Sequence, residues 1–241
     1  MKLSALLGLI TTILFAPLSA IGQTATPPTA PLAANAPFAS EINAFETADK
    51  KSPPPSGAVL FIGSSSIRFW TTLAQDFPEM PVINRGFGGS QIIDSVNYAD
   101  RIVLPYKPKM IVFYAGGNDI NAGKSPEQVC TDFQAFVDKV HADLPKTRIV
   151  YISINPSVAR WKQEEKVLEA NRLIQKYIHD KASRSLKLTY LDTHAALLSA
   201  EGQPQPEILR TDGLHLNPTG YQKWTAIVHP RILALWKTES R

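Results

Sequence analysis

Five short apolar runs, which mostly lack polar alternation, constrain the fold of this chain more than any other feature. They are rich in valine, isoleucine, phenylalanine and tyrosine, and they span residues 58–63, 81–87, 110–116, 148–154 and 187–193. A strand loses polar alternation when both faces of its sheet are covered, as happens in parallel sheets. We therefore expect five buried strands in a parallel sheet.

Segments with the apolar spacing of helices separate these runs. They cover residues 67–75, 91–103, 126–144 and 162–181. After the fifth run we expect a final helix over 218–236, with Asn217 as its N-cap and Pro218 at its first position. Strand and helix alternate without an internal repeat, which predicts a three-layer α/β/α fold around the sheet. Ligands of such folds bind beyond the carboxyl ends of the strands, so the polar and glycine-rich loops found there form the candidate site.

The N-terminus has the composition of a secretory signal peptide. Residues 1–22 carry one charge, Lys2, followed by an apolar run that is short for a bilayer span and by small residues. We expect cleavage after Ala20 or Gly22, which would export the protein to the periplasm or the medium without a stable membrane span. An uncleaved membrane anchor is the alternative.

The next segment, residues 23–56, is rich in proline and alanine. We interpret it as an extended tether and lead-in that contains a short helix at 40–48. The functional domain is then expected to span residues 57–241, a length that suits one domain.

Charge and cysteine content exclude several function classes. The net charge is +4 and no Lys/Arg block is present, so nucleic acid is not an expected partner. Cys130 is the single cysteine, which rules out an internal disulfide. It lies on an amphipathic segment without neighbouring cations, and we interpret it as a buried hydrophobe rather than a nucleophile. No feature of the sequence demands an oligomer.

Three consecutive serines, residues 64–66, follow the first predicted strand. Serines in this position can cap a helix or line an anion site. The chain lacks the lysine of a P-loop and the full spacing of a dinucleotide fingerprint, which disfavours nucleotide binding. A serine nucleophile requires in addition a histidine, a carboxylate to orient it, and donors for the oxyanion.

The five histidines differ in their suitability as the base. Three lie within predicted helices, where a packed or solvated role is expected: His141, His179 and His229. His194 follows the fifth strand with Asp192 close by, and it is a rival candidate. His215 lies in a loop, and Asp212 three residues earlier can reach the same side of one turn. We favour the pair Asp212 and His215.

Four short blocks of the chain resemble the SGNH hydrolases, also called GDSL esterases and lipases. The blocks are "FIGSSS", "NRGFGG", "AGGND" and "DGLH", which occur in the family's order at the expected strand ends. The resemblance covers residues 57–236. It implies a flavodoxin-like five-stranded parallel sheet and a carboxylic ester hydrolase that requires no metal or organic cofactor.

The resemblance also implies roles for individual residues. Ser65 would be the nucleophile, His215 the general base and acid, and Asp212 the partner that orients His215. The oxyanion donors would be the backbone N–H groups of Ser65 and Gly89 and the side-chain amide of Asn118.

One block departs from the family pattern. Ser64 stands where the family usually has aspartate, and Ser66 where it usually has leucine. That aspartate is not the triad acid, so its replacement leaves the chemistry intact. We expect Ser64 and Ser66 to hold the turn through local side-chain to backbone hydrogen bonds, and Asp119 to stabilise the loop after the third strand.

Substrate-binding candidates lie at or after the ends of the strands. They are Tyr114, Arg160 and Trp161, which would suit a sugar or an aromatic acid. No long apolar lid segment is present, which disfavours long-chain lipids. We expect an exported esterase that acts on short acyl esters of a small molecule or a carbohydrate, such as acetylated sugars. An O-acyltransferase with the same triad and a non-catalytic carbohydrate- or wall-binding protein are the alternatives.

Overall fold

The computed structural model describes residues 36–182 and 186–239, with a five-stranded sheet at the centre. The strands are β1 (Val59–Gly63), β2 (Val82–Gly86), β3 (Met110–Tyr114), β4 (Arg148–Ile152) and β5 (Leu188–Leu191). All neighbouring strands are parallel, and their order is β2-β1-β3-β4-β5. This is the flavodoxin-like order, so the predicted fold class is confirmed, and each predicted run contains one strand.

Helices cover both faces of the sheet. They are α1 (Ala39–Lys51), α2 (Ser65–Arg68), α3 (Leu73–Asp76), α4 (Ile92–Asn97), α5 (Ala99–Ile102), α6 (Gly117–Asn121), α7 (Pro126–Asp143), α8 (Glu164–Lys181) and α9 (Pro218–Glu239). One apolar core joins the sheet to α1, α4, α5, α7 and α8, and the other joins it to α2, α3 and α9. Leu60 and Ile62 of β1 belong to the first core, and Val59 and Phe61 belong to the second. The strands lack polar alternation because both of their faces are buried.

Two of the predicted helices are interrupted by large side chains that turn into the core. The segment 67–75 forms α2 and α3, because the chain turns between them to bury Trp70, whose indole N–H donates to Asp76 at 2.6 Å. The segment 91–103 is divided at Tyr98, which is buried and whose hydroxyl donates to the carbonyl of Pro37.

The longer helices agree with their predicted ranges to within a few residues. Asn217 caps α9, since its side-chain oxygen accepts the N–H of Gly220 at 3.0 Å. Cys130 lies on the buried side of α7, and burial raises the pKa of its thiol. A thiol in this environment is a packing group, as expected from the sequence.

Helix α1 packs on the sheet, although the sequence analysis assigned its residues to a lead-in before a domain that starts at residue 57. Ile42 of α1 is fully buried in the first core. Glu46 forms an ion pair with Arg101 of α5 at 2.7 Å, and Asp49 pairs with Arg85 of β2 at 2.5 Å. The helix therefore belongs to the same compact unit as the sheet.

The predicted signal peptide at residues 1–22 lies outside the described residues, as does the beginning of the tether. Its cleavage remains a prediction from the sequence. Among the helices within 36–182 and 186–239, none combines the length and the apolar content needed to cross a membrane.

The carboxyl ends of three strands lie at one level. Gly63 at the end of β1 is in register with Gly86 of β2 and with Tyr114 of β3. A Cβ atom on Gly63 would lie 1.9 Å from the carbonyl oxygen of Tyr114, and the φ of Gly63 is +137°. Only glycine accommodates both conditions, and it allows the loops after β1, β2 and β3 to begin side by side.

If α1 is part of the cooperative fold, truncating its buried side chain will destabilise the whole protein. We expect Ile42→Ala to lower the free energy of unfolding by about 2–5 kcal/mol, because it removes methyl groups from a packed core. Ser40→Ala, on the exposed side of the same helix, should change it by less than about 0.5 kcal/mol. Urea unfolding followed by circular dichroism measures both, and equal effects of the two variants would show that α1 is not part of the cooperative unit.

Candidate active site

The loops that start at the aligned strand ends meet around the three serines. The N–H of Ser64 donates to the carbonyl of Tyr114 at 3.0 Å, which ties the start of α2 to β3. The Ser64 side chain makes no capping hydrogen bond, so the expected local role of its hydroxyl is wrong. The carbonyl of Ser66 accepts from the Tyr221 hydroxyl at 2.7 Å, and the Ser66 side chain interacts with Tyr114. The turn is thus held by tertiary contacts and by local backbone hydrogen bonds, such as that from the Ile67 N–H to the Ser64 carbonyl at 3.0 Å, rather than by local bonds of the serine side chains.

Ser65, His215 and Asp212 form a continuous line of hydrogen bonds. Ser65 Oγ lies 2.8 Å from Nε2 of His215, although the two residues are 150 positions apart. Nδ1 of the same ring lies 2.7 Å from Oδ2 of Asp212. The structure therefore brings together the three residues to which the family resemblance assigns the triad.

The charge of Asp212 determines the tautomer of the ring. Partial desolvation raises the pKa of Asp212, but hydrogen bonds from the His215 ring and from the N–H groups of His215 and Leu214 outweigh it and lower the pKa to about 2. An ionised carboxylate only accepts hydrogen bonds. Nδ1 of the neutral ring must then carry the proton, which leaves Nε2 free to accept from the hydroxyl of Ser65.

The His215 loop is fixed by its own backbone and by an aromatic neighbour. Arg210 N–H donates to the His215 carbonyl at 2.7 Å, and Leu209 and Leu216 form an isolated antiparallel bridge. Phe69 meets the His215 ring edge to face, with centroids 5.0 Å apart. Phe69 was not predicted from the sequence, although its position four residues after Ser65 was a usable signal.

Asn118 lies at the start of α6, directly after β3, and both ends of its side-chain amide are engaged. Its Nδ2 donates to the carbonyl of Ser90 at 2.9 Å, and its Oδ1 accepts from Nη2 of Arg160 at 2.9 Å. Gly89 immediately precedes Ser90, has a φ of +80° and is exposed. Asn118 is thus joined to the loop that carries Gly89, as the assigned oxyanion site requires. Ser90 was not among the site residues predicted from the sequence.

Asp119, the residue after Asn118, connects α6 to the start of α4. Its carboxylate is fully buried, accepts the N–H of Ile92 at 3.2 Å and pairs with Lys124 at 2.9 Å. Burial raises the pKa of Asp119, and Lys124 partly offsets that effect. These contacts agree with the structural role expected from the sequence.

The rival histidine has a different partner. His194 is buried, and its Nε2 lies 2.7 Å from Oε1 of Glu164, an ion-pair distance without the alignment of a hydrogen bond. Asp192 accepts the backbone N–H of His194 at 2.9 Å, a contact that does not orient the ring. No three His, Cys, Asp or Glu side chains of residues 36–182 and 186–239 are grouped as ligands for a metal ion.

A small cavity opens beside the serine. Its volume is about 40 Å³, and its lining includes Ser65, His215, Asn118, Tyr114, Arg160 and Glu164. Burial raises the pKa of Tyr114, which keeps its phenol neutral. Of the three predicted substrate-binding residues, the structure places Tyr114 and Arg160 at this cavity, whereas Trp161 is half-buried and is not among the described residues that line it.

Comparison with known proteins identifies the family. A family model described as GDSL-like lipase/acylhydrolase matches residues 62–223. Among curated proteins, bovine platelet-activating factor acetylhydrolase IB subunit alpha1 is 26% identical over 195 residues, which cover 78% of this chain and 79% of the bovine protein.

Solved structures share the fold at lower sequence identity. A GDSL-like lipase from Bacteroides thetaiotaomicron superimposes with a TM-score of 0.68 at 18% identity, covering 81% of this chain and 98% of its own. An acetylxylan esterase from Geobacillus stearothermophilus gives a TM-score of 0.56 at 15% identity, covering 72% and 93%.

The matched region runs from the end of β1 into α9. It therefore contains the four sequence blocks except for Phe61, the first residue of the first block, and every residue of the hydrogen-bonded line at Ser65. The chain belongs to the GDSL-like lipase/acylhydrolase family, and it is a carboxylic ester hydrolase of that type.

Proposed function

We propose that this protein is an exported serine esterase that removes short acyl groups, above all acetyl groups, from small-molecule or carbohydrate esters. The observation that carries the proposal is the line of hydrogen bonds from Ser65 through His215 to Asp212, with distances of 2.8 and 2.7 Å. Export rests on the signal-peptide pattern of residues 1–22.

The first step forms an acyl-enzyme. Ser65 Oγ attacks the ester carbonyl as Nε2 of His215 removes the hydroxyl proton, and Asp212 stabilises the imidazolium that results. The N–H groups of Ser65 and Gly89 and the amide of Asn118 donate to the oxyanion. The tetrahedral intermediate collapses when the C–O bond to the alcohol breaks, and His215 returns its proton to the departing alkoxide.

The second step releases the acid. Water attacks the acyl-enzyme carbonyl while His215 accepts one of its protons, and the same donors hold the second oxyanion. The bond between Ser65 and the acyl group then breaks, and Ser65 recovers its proton from His215. One ester and one water thus yield one alcohol and one carboxylic acid.

The cavity beside Ser65 supports a short acyl group. A single buried water needs roughly 10–15 Å³, so a cavity of about 40 Å³ has room for a short acyl group. The names of two similar proteins agree with this size: the bovine relative is an acetylhydrolase, and one structural neighbour is an acetylxylan esterase. Tyr114 and Arg160 at the cavity, with Trp161 nearby in the same loop as Arg160, supply polar and aromatic groups for the substrate.

Replacing the proposed nucleophile will abolish turnover, whereas replacing its neighbour will not. We expect Ser65→Ala to lower kcat for 4-nitrophenyl acetate by more than about 10⁴-fold, because no acyl-enzyme can form. Ser64→Ala is the matched control and should stay within a few fold of the parent, since the Ser64 hydroxyl makes no capping contact. Equal losses in two folded variants would contradict the assignment of Ser65.

Conversion of each candidate carboxylate, Asp212 or Asp192, to the amide distinguishes them by its effect on kcat. Asp212→Asn should lower kcat by about 10³–10⁴-fold, because the amide no longer selects the tautomer with a proton on Nδ1. Asp192→Asn keeps an oxygen that accepts the N–H of His194, and its kcat should match the parent. Steady-state hydrolysis of 4-nitrophenyl acetate measures both, and a larger loss in Asp192→Asn would favour the rival histidine.

The size of the cavity predicts a steep dependence on acyl length. We expect kcat/KM to fall at least about tenfold from 4-nitrophenyl acetate to the hexanoate, because a cavity of about 40 Å³ is too small for four further methylenes, which must stay in solvent or displace protein atoms. The series from acetate to octanoate, with acetylated sugars in parallel and the products identified by mass, tests the proposal. Faster hydrolysis of the longer esters would rule out the short-acyl specificity.

A further inference from the structure

Helix α1 places one carboxylate against the active-site loops. Oε1 of Glu41 accepts the backbone N–H of Gly88 at 3.2 Å and a hydrogen bond from Nη1 of Arg68 at 2.9 Å. Gly88 lies 47 positions from Glu41 in the chain and Arg68 lies 27 positions away. One side chain thus connects two segments that are distant in sequence.

Both of these segments carry proposed catalytic groups. Arg68 ends α2, three residues after Ser65, and Gly88 immediately precedes Gly89. A Cβ atom on Gly88 would lie 2.5 Å from Nη1 of Arg68. The guanidinium therefore lies directly against the backbone of Gly88, in the space that any other residue would fill.

The loop after β2 is anchored on both sides of Gly88 and Gly89. After the glycines, Ser90 is buried, and its hydroxyl donates to the carbonyls of Phe87 at 3.0 Å and Gly63 at 3.3 Å. Phe87 is held on one side by its N–H, which donates to the Gly63 carbonyl at 3.0 Å, and on the other by Phe38, whose ring centroid lies 5.3 Å away. At Gly89, no atom outside the adjacent residues lies within 4 Å of the position of a Cβ. Between these anchors the two consecutive glycines leave the backbone conformationally free, so the direction of the Gly89 N–H depends on how Gly88 is held as well as on Ser90.

We propose that Glu41 is a positioning residue, which holds Gly88 and Arg68 so that the N–H of Gly89 points at the oxyanion. The inference rests on the proposed function, in which Gly89 is an oxyanion donor. Residue 41 lies before the region matched by the family model, which starts at residue 62. Helix α1 thus adds to the esterase site a contact from outside the matched region.

If Glu41 is a positioning residue, its replacement affects kcat more than the stability of the fold. The side chains of Glu41 and Arg68 are 32% and 50% exposed, and ion pairs at such sites contribute little to folding. A donor displaced by a fraction of an ångström, however, stabilises the transition state less well. Loss of Glu41 should therefore lower kcat without a matching loss of stability.

Glu46 supplies the matched control. It lies on the same helix, is 37% exposed, and pairs with Arg101 at 2.7 Å, away from the loop. We expect Glu41→Ala to lower kcat for 4-nitrophenyl acetate roughly tenfold, with KM within twofold of the parent, because the donor is displaced rather than removed. Glu41→Gln keeps an oxygen for Gly88 and should recover part of the loss. Glu46→Ala should leave kcat unchanged, and the melting temperatures of both alanine variants should be similar.

Hydrogen exchange gives a readout that does not need activity. Backbone amides of residues 86–91 should exchange faster in Glu41→Ala than in Glu46→Ala or the parent, as measured by mass spectrometry on the folded proteins. If exchange and kcat are the same in the two alanine variants, the positioning role is wrong even when the parent is an active esterase. A parent without Ser65-dependent hydrolysis would instead overturn the proposed function, and the exchange data would still decide whether Glu41 holds the loop.

Discussion

The close approach of β1 and β3 at Gly63 is the constraint on which the site depends. Because the Gly63 backbone lies against the Tyr114 carbonyl, β1, β2 and β3 end at one level. In a sheet with this strand order, the direction of the connections reverses between β1 and β3, and a crevice opens there. Ser65 follows one of these two strands and Asn118 follows the other. The topology therefore places the proposed nucleophile and one proposed oxyanion donor on opposite sides of the same crevice.

The parts of the fold that follow from local physics were predictable from the sequence. The five strands were recognisable because burial on both faces removes polar alternation, and α7 and α8 because each has a long amphipathic pattern. The start of α9 was recognisable from its cap, Asn217, followed by Pro218. The pairing of Asp212 with His215 was also predictable, since Asp212 lies three positions before His215, within one turn. The choice of Ser65 among three serines required the family resemblance, because nothing in the local pattern distinguishes them.

The remaining features depend on contacts between distant segments. Helix α2 stops early because Trp70 turns into a core built partly by α9, and the segment before α5 bends at Tyr98, whose hydroxyl contacts the carbonyl of Pro37. His194 is engaged by Glu164, thirty positions earlier, rather than by its neighbour Asp192. No window of sequence contains both members of such a pair, so periodicity and propensity could not reveal them.

The compact loop that carries Asp212 and His215 changes how the triad should be viewed. The acid and the base are bound to each other through the ring and through backbone N–H groups, and Arg210 closes the same turn. Asp212 and His215 therefore belong to one loop, whereas Ser65 belongs to the segment that joins β1 to α2. A shift of this loop relative to the β1–α2 segment would lengthen the hydrogen bond between Ser65 and His215 but leave the tautomer of the ring unchanged. The alignment of Ser65 with His215 can therefore be lost while Asp212 still keeps the His215 ring in the tautomer that acts as a base.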